Sequence, residues 1–268
     1  MTAPVGWDDV QTARVYERFC RRHRRYRIAN DALVAHAALV PGLRVLDVAA
    51  GTGRTAAAVL PHIGEQGTVL CVEPARAMRD VGARRLTDAR VAWTSELPDD
   101  TTVLFDRVVC GAGMWQLLPL DVTLRRLAAL LGPGGALVFN IPAQYLLEPD
   151  PPGGGRDPLL LELPALVERS VAPSHAAPVG TDALPRGRDE VDRLLTATGL
   201  RVERWSFDLR FTQAAYRDWL KIPPVSEGMF AGLPLAERER RVDNAYRRAD
   251  RRSWRWERWI GWTAWRAS

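Results

Sequence analysis

The apolar positions of this chain gather into short unbroken runs separated by turns that glycine and proline mark. Leu43, Val45, Leu46 and Val48 form the first run, and Thr68 to Val72 the second. Arg90 to Trp93 is a shorter third, Phe105 to Cys110 the fourth, and Ala136 to Asn140 the fifth. Runs of this length, apolar without alternation, predict strands of a parallel sheet buried on both faces. Stretches of helical spacing lie between them, notably Leu124 to Leu131, ended by Gly132-Pro133-Gly134-Gly135. Such strand–helix alternation predicts a doubly wound, Rossmann-like α/β fold.

The pattern differs at the two ends. In residues 1–40, Val15, Phe19, Ile28, Leu33, Val34 and Ala37 follow a rough helical spacing, which predicts an N-terminal helical cap. Residues 41–141 hold the five apolar runs. Residues 142–186 contain Pro149 to Gly155 and the loop Pro173 to Pro185, flanking an apolar segment from Leu159 to Val171, and read as a lid insertion. In residues 187–268, a helix over 189–198 precedes a strand from Leu200 to Phe211. A second insertion follows, with Tyr216 to Leu220, the Ile222-Pro223-Pro224 turn and a helix from Leu235 to about Arg252. Trp254 to Trp265 makes the last strand, for a sheet of seven. Trp256, Trp259, Trp262 and Trp265 do not keep one parity, so both faces of that strand should be buried.

The turn after the first run carries the clearest chemistry. Asp47 ends the strand, and Ala49, Ala50, Gly51, Thr52 and Gly53 lead into a helix beginning near Thr55. Glycines here let the backbone turn sharply and approach a ligand closely, below free N–H groups at a helix start. Glu73 ends the second strand, 20 residues beyond Gly53. At that distance an acid reaches the ribose hydroxyls of a nucleotide in a doubly wound sheet. The pattern Gly51-x-Gly53-x-x-Ala56 suits either a dinucleotide or another adenosine-containing cofactor.

Composition narrows the setting. Of 268 residues, 47% are hydrophobic and 26% charged, as in a soluble globular protein. No run approaches the roughly 18 apolar residues of a membrane helix. The N-terminus lacks the basic and apolar regions of a signal peptide, and the 3 cysteines are scattered, so a reduced cytoplasmic setting is expected with no metal site. The net charge of +5 raises nucleic acid as a partner, but nearly all the positive charge is arginine interleaved with acids, as in Glu237 to Arg241. That pattern predicts solvated helix faces.

An apolar strand followed by Asp47-x-x-x-Gly51-x-Gly53 resembles motif I of the class I S-adenosylmethionine (SAM)-dependent methyltransferases. Ala49 stands where that motif usually has its first glycine. Phe105-Asp106 opening the fourth strand is similar to the small-molecule branch that includes ubiquinone and menaquinone C-methylation enzymes, and the Leu131-x-Pro133-Gly134-Gly135 unit about 85 residues after motif I resembles one at the same place in class I methyltransferases generally. The resemblance spans residues 41–141 by motif and 187–268 by element order. It implies that SAM is the cofactor, contacted by Asp47, Ala49, Ala50, Gly51, Gly53, Glu73, Pro74, Met78, Ser95, Glu96, Cys110 and Gly111. Thr94 stands where the family often has an acid beside the adenine.

The implied activity is methyl transfer to carbon or oxygen of a small, largely apolar or aromatic acceptor. Tyr16, Tyr26, Trp115 and Gln116 are the candidate acceptor contacts, and His23 and His175 the candidate bases if one is needed. Two alternatives use the same fold: methylation of nucleic acid, and SAM binding without methyl transfer, as in a cyclase. Against the first, the Asn/Asp-Pro-Pro-aromatic motif is absent after the fourth strand, and Cys110 lacks a preceding proline. A NAD-dependent oxidoreductase is disfavoured because the nucleotide strand does not open the chain. Acceptor identity and oligomeric state are not encoded in any motif.

Overall fold

A computed structural model describes residues 6–98, 104–146, 159, 162, 163, 185 and 187–267. The lid insertion of 142–186 therefore lies largely outside the described residues, and His175 with it.

Two helices, α1 (Val10–Arg22) and α2 (Arg25–His36), precede the sheet. Asp9 caps α1, its carboxylate accepting the Thr12 N–H at 2.8 Å. The chain then runs through β1 (Arg44–Val48), α3 (Arg54–Val59), β2 (Thr68–Val72), α4 (Arg76–Arg85), β3 (Val91–Thr94), β4 (Phe105–Cys110), α5 (Leu120–Ala129) and β5 (Leu131–Pro142). After the insertion come α6 (Arg188–Thr196), β6 (Arg201–Thr212), α7 (Gln213–Leu220), α8 (Pro223–Met229), α9 (Leu235–Arg248) and β7 (Trp254–Trp265).

The seven strands form one sheet in the order β3-β2-β1-β4-β5-β7-β6. The first five are parallel, and β7 runs antiparallel between β5 and β6. The doubly wound α/β fold and its seven strands are those predicted. Strand order reverses between β1 and β4, so a crevice opens at their carboxyl ends, where such sheets bind ligands.

The burial follows from the apolar runs. Leu46, Val48, Val108 and Phe139 face one layer, with Leu124, Leu127 and Trp262. Val45, Val69, Val109 and Val138 face the other, with Leu33, Ala56, Val59 and Ile63. A separate core holds Phe19 from the cap, Tyr216, Trp219, Met229 and Val242 from the second insertion, and Trp259 from β7.

Three boundaries differ from the sequence reading. Strand β5 begins at Leu131, and the helix before it ends at Ala129. Leu131 pairs with Phe105 while Ala136 pairs with Arg107, so Gly132 to Gly135 form a bulge inside the strand instead of a turn before it. A Cβ on Gly135 would sit 2.9 Å from the Gly132 carbonyl oxygen, which explains the glycine. The last helix stops at Arg248, where Ala249 turns extended. Along β7, Trp259 and Trp262 are fully buried on opposite faces, but Trp254 and Trp256 are exposed, because that end runs past β5 and pairs only with β6.

Candidate cofactor and acceptor site

The site begins where β1 ends. Ala49 (φ 54°), Gly51 (φ 55°) and Gly53 (φ 74°) all take the left-handed region. Glycine does so freely; Ala49 does so at a steric cost, which is why a glycine is usual at its place. The turn is closed by the Gly53 N–H donating to the Ala50 carbonyl at 2.7 Å. A Cβ on Gly53 would lie 2.9 Å from the Trp93 ring, so α3 can start only on a glycine.

Two carboxylates flank this loop. Asp47 is fully buried; its Oδ2 accepts the Ala56 N–H at 2.9 Å, and its Oδ1 has no partner among the described residues. Burial pushes this carboxyl up to about 8; the Ala56 N–H opposes the shift and the neighbouring Glu73 adds to it. Glu73 Oε2 accepts the Gly51 N–H at 2.7 Å, and its Oε1 accepts the Ala75 N–H at 2.9 Å. Burial raises Glu73 as well, and the two N–H donors work against it. The acid predicted to end β2 thus fixes the glycine loop itself. Each of its oxygens still has a lone pair to offer a ligand.

The other candidate cofactor contacts fall around the same crevice. Pro74 is half-buried, and Met78 is buried on α4 with its methyl group beside Gly51. The Glu73 N–H donates to the Thr94 carbonyl at 3.0 Å, bringing the Ser95–Glu96 turn next to Glu73. Glu96 is exposed, and its N–H donates to Thr94 Oγ1 at 3.3 Å. Cys110 is buried at the end of β4, where burial holds the thiol protonated. A Cβ on Gly111 would lie 2.3 Å from Thr55 Oγ1, and one on Gly113 would lie 2.8 Å from Ala49 Cβ, so both glycines let this exit loop close on motif I.

The cap docks directly on the loop. Glu17 of α1 accepts Thr52 Oγ1 at 2.9 Å and pairs with Arg54. Asp8 Oδ1 accepts the Ala77 N–H at 2.9 Å. Asn140 Oδ1 accepts the Ala112 N–H at 3.0 Å and its Nδ2 donates to the Ala29 carbonyl at 2.9 Å, tying β5, the β4 exit and α2 together. None of these residues was singled out from sequence. Their partners lie 28 to 111 residues away, and no local pattern marks such pairings.

The candidate acceptor contacts form two groups. Tyr16 and Tyr26 are neighbours in the cap, with ring centroids 5.5 Å apart, and Tyr26 Oη accepts the Trp219 Nε1–H at 3.1 Å. Trp115 stacks on Tyr145 at 3.9 Å and donates from Nε1 to the Ala112 carbonyl at 3.1 Å. Gln116 is half-buried in the same short turn. His23 Nε2 lies 2.8 Å from Asp218 Oδ2, a hydrogen bond between cap and second insertion. Beside it, Arg25 and Glu257 form a buried two-point pair at 2.9 and 2.6 Å, ringed by Tyr26, Phe211, Trp219 and Trp259.

Residues 45–135 match the model of a family described as a methyltransferase domain. A ubiquinone/menaquinone biosynthesis C-methyltransferase of Coxiella burnetii is 31% identical over 122 residues, which cover 42% of this chain and 48% of the relative. The chain thus spans about half the length of that curated relative. A Haemonchus contortus phosphoethanolamine N-methyltransferase 2, solved with phosphomonomethylethanolamine and S-adenosylhomocysteine, superposes with a TM-score of 0.53 at 16% identity, over 89% of this chain and 52% of that one. The cyclase SpnF superposes with a TM-score of 0.52 at 18% identity, over 91% of this chain and 82% of that one. At these identities the two structures share the fold alone. Residues 45–135 thus match a methyltransferase-domain family, and they lie in a doubly wound sheet of the kind those enzymes share.

Proposed function

We propose that this protein binds SAM at the carboxyl ends of β1, β2 and β4 and directs its methyl group to a small, largely apolar or aromatic acceptor. The observation that carries this reading is the glycine loop flanked by two buried carboxylates, one with an oxygen left without a partner among the described residues.

The residues present fit SAM. Asp47 Oδ1 is an acceptor in want of a donor, as the ammonium of a methionine end would be. Glu73 has acceptor capacity left for two ribose hydroxyls. Gly51, Gly53, Gly111 and Gly113 keep the backbone free of side chains around the crevice. The bound cofactor would supply an electrophilic methyl on a sulfonium. The protein's part is to align and desolvate the acceptor. Trp115 and Tyr145 give a flat apolar wall at the β4 exit, and Tyr16, Tyr26, Trp219 and Met229 give apolar surface from the cap and second insertion. If the acceptor must lose a proton, His23 is the described candidate base, and its pairing with Asp218 favours a structural part for it.

The likeness to a ubiquinone/menaquinone C-methyltransferase supports carbon methylation of a quinol-like ring as the first reaction to assay. Nucleic acid fits less well. Arg54, Arg90, Arg125, Arg204, Arg241 and Arg258 are each paired with a carboxylate, which leaves a mixed surface and no open basic track along them. Calorimetry with S-adenosylhomocysteine and with NADH tests the cofactor. Heat from the first and none from the second is expected, and the reverse overturns the reading. Transfer of labelled methyl from SAM to hydroxylated aromatic and quinol acceptors, against RNA and DNA across a salt series, tests the acceptor class. Incorporation into nucleic acid alone would sink it.

A further inference from the structure

We infer that the acceptor carries a polar head in which a carbonyl-type oxygen lies beside a hydroxyl, and that Gln213 and Gln144 recognise that head. The inference rests on the SAM-dependent reading above and names the substrate chemistry of the same site.

Gln213, the first residue of α7, is fully buried, and among the described residues neither its amide oxygen nor its amide nitrogen has a partner. Gln144, just after β5, has a buried Nε2 that lies toward the Tyr145 hydroxyl and makes no full hydrogen bond among the described residues. Buried amides left unpaired destabilise a fold, and native proteins rarely keep them without another use. Two such amides in one region call for a partner from outside the described residues, and a bound acceptor is the partner we infer.

Arg255 connects them. Its Nη2 donates to Gln144 Oε1 at 3.3 Å, and its guanidinium lies 4.3 Å from the centre of the Tyr216 ring. Tyr216 is one helical turn after Gln213 on α7, so both share a face of that helix. Arg255 also pairs across β6 and β7 with Phe211, two residues before Gln213. The region is continuous with the cofactor crevice. Tyr145, next to Gln144, stacks on Trp115, and Trp115 is held to Ala112, beside the Gly113 that packs on Ala49. An aromatic wall thus runs from motif I to the residue beside Gln144, and Arg255 and Tyr216 continue the region toward Gln213.

The unmet groups define the complement. Gln144 Nε2 and Gln213 Nε2 offer N–H donors, which need an oxygen that accepts. Gln213 Oε1 needs a hydroxyl that donates. An aromatic ring bearing a carbonyl or carboxylate next to a hydroxyl supplies both from one edge once the hydroxyl exchanges its internal hydrogen bond for one to Gln213 Oε1, while its apolar body lies against the aromatic wall. An unsubstituted hydrocarbon would leave all three groups buried and unpaired.

The test compares 1-hydroxy-2-naphthoate with 2-naphthoate by calorimetry on the full chain saturated with S-adenosylhomocysteine. The hydroxylated probe is expected to bind at least about tenfold tighter, since the analogue leaves a buried acceptor unpaired. In Gln213→Met that preference should vanish. Without acceptor, Gln213→Met should also melt above the native protein, because an unpaired amide is replaced by an apolar group of similar size. Gln144→Met should weaken both probes. Equal binding of the two probes to the native protein overturns the inference. So does a Gln213→Met variant that melts lower and keeps the preference, which would make the amide structural. S-adenosylhomocysteine binding is read in every sample. Its absence in the native protein refutes the cofactor reading, whereas its presence without probe discrimination refutes this inference alone.

Discussion

Asp47 accepts the Ala56 N–H at 2.9 Å with one oxygen and keeps the other buried without a partner among the described residues. The arrangement holds the turn into α3 and leaves a carboxyl whose folded pKa, about 8, stands well above its ordinary 3.8. The folded state therefore binds this proton more tightly than the unfolded chain. Its contribution to stability is complete below the ordinary value and is lost as pH rises through about 8. The ligand-free protein should melt at progressively lower temperature across that window. A cationic ligand group beside Oδ1 reverses the preference and ionises Asp47. Binding of S-adenosylhomocysteine should then release up to one proton at about pH 7, and fewer well above the folded pKa. Calorimetry in buffers of different ionisation enthalpy reads this number. Equal heats in all buffers would place the ammonium elsewhere.

Glu73 ties the end of β2 to the glycine loop through the Gly51 and Ala75 N–H groups. Glu73→Ala should weaken S-adenosylhomocysteine binding by about 1.5–3 kcal/mol for each charge-assisted bond to ribose that is lost. Because Gly51 and Ala75 also lose their acceptor, a lower melting temperature should accompany the loss. Glu73→Gln keeps the size and one acceptor oxygen, so it should retain more of the stability while still losing affinity. Calorimetry paired with thermal melting separates the two effects. Native-like affinity in both variants would mean that this carboxylate serves the loop alone.

Arg25 and Glu257 are both nearly inaccessible and bonded at two points. Removing one partner leaves an uncompensated buried charge. Arg25→Met should therefore destabilise the protein by about 3–5 kcal/mol. Adding Glu257→Leu should recover part of that, since it removes the stranded charge among the aromatic rings but leaves the buried Trp259 Nε1–H without its acceptor. Denaturant unfolding of the two single variants and the double variant measures the coupling. Additive losses would show that the pair does not act as a unit.

His23 and Asp218 join the cap to the second insertion at 2.8 Å. Burial works against the charge of Asp218, but hydrogen bonds from His23 and Arg217 outweigh it and hold its pKa below the ordinary value. Its contribution is thus present above that value and is lost as the pH falls through the lower folded pKa. His23→Gln should lower the melting temperature and leave S-adenosylhomocysteine affinity unchanged. If the imidazole were instead the general base, the variant would lose the acidic limb of the pH–rate profile with little change in stability.

The sequence by itself determined the frame. Unbroken apolar runs bounded by glycine and proline specify buried parallel strands, because a strand covered on both faces cannot alternate. The Asp47 to Gly53 turn and the acid at Glu73 were readable because their geometry is local. Left-handed residues, a strand end and a fixed spacing all lie within one βαβ unit. The bulge at Gly132 to Gly135 was less legible. Proline and glycine signal a break equally well before a strand and within one, and only the pairing of Leu131 with Phe105 chose between them.

Tertiary structure alone decided the rest of the site. Arg25 meets Glu257 across 232 positions, and His23 meets Asp218 across 195. Nothing in the local pattern distinguishes these residues from the solvated charges around them. Arg24 is exposed while its neighbour Arg25 is buried among aromatic rings, a difference set by which side of α2 meets β7 and α7. The same holds for Gln144 and Gln213. An amide reads in sequence as an ordinary polar residue. Only packing removes its water without giving it a partner, and that desolvation turns it into a recognition group.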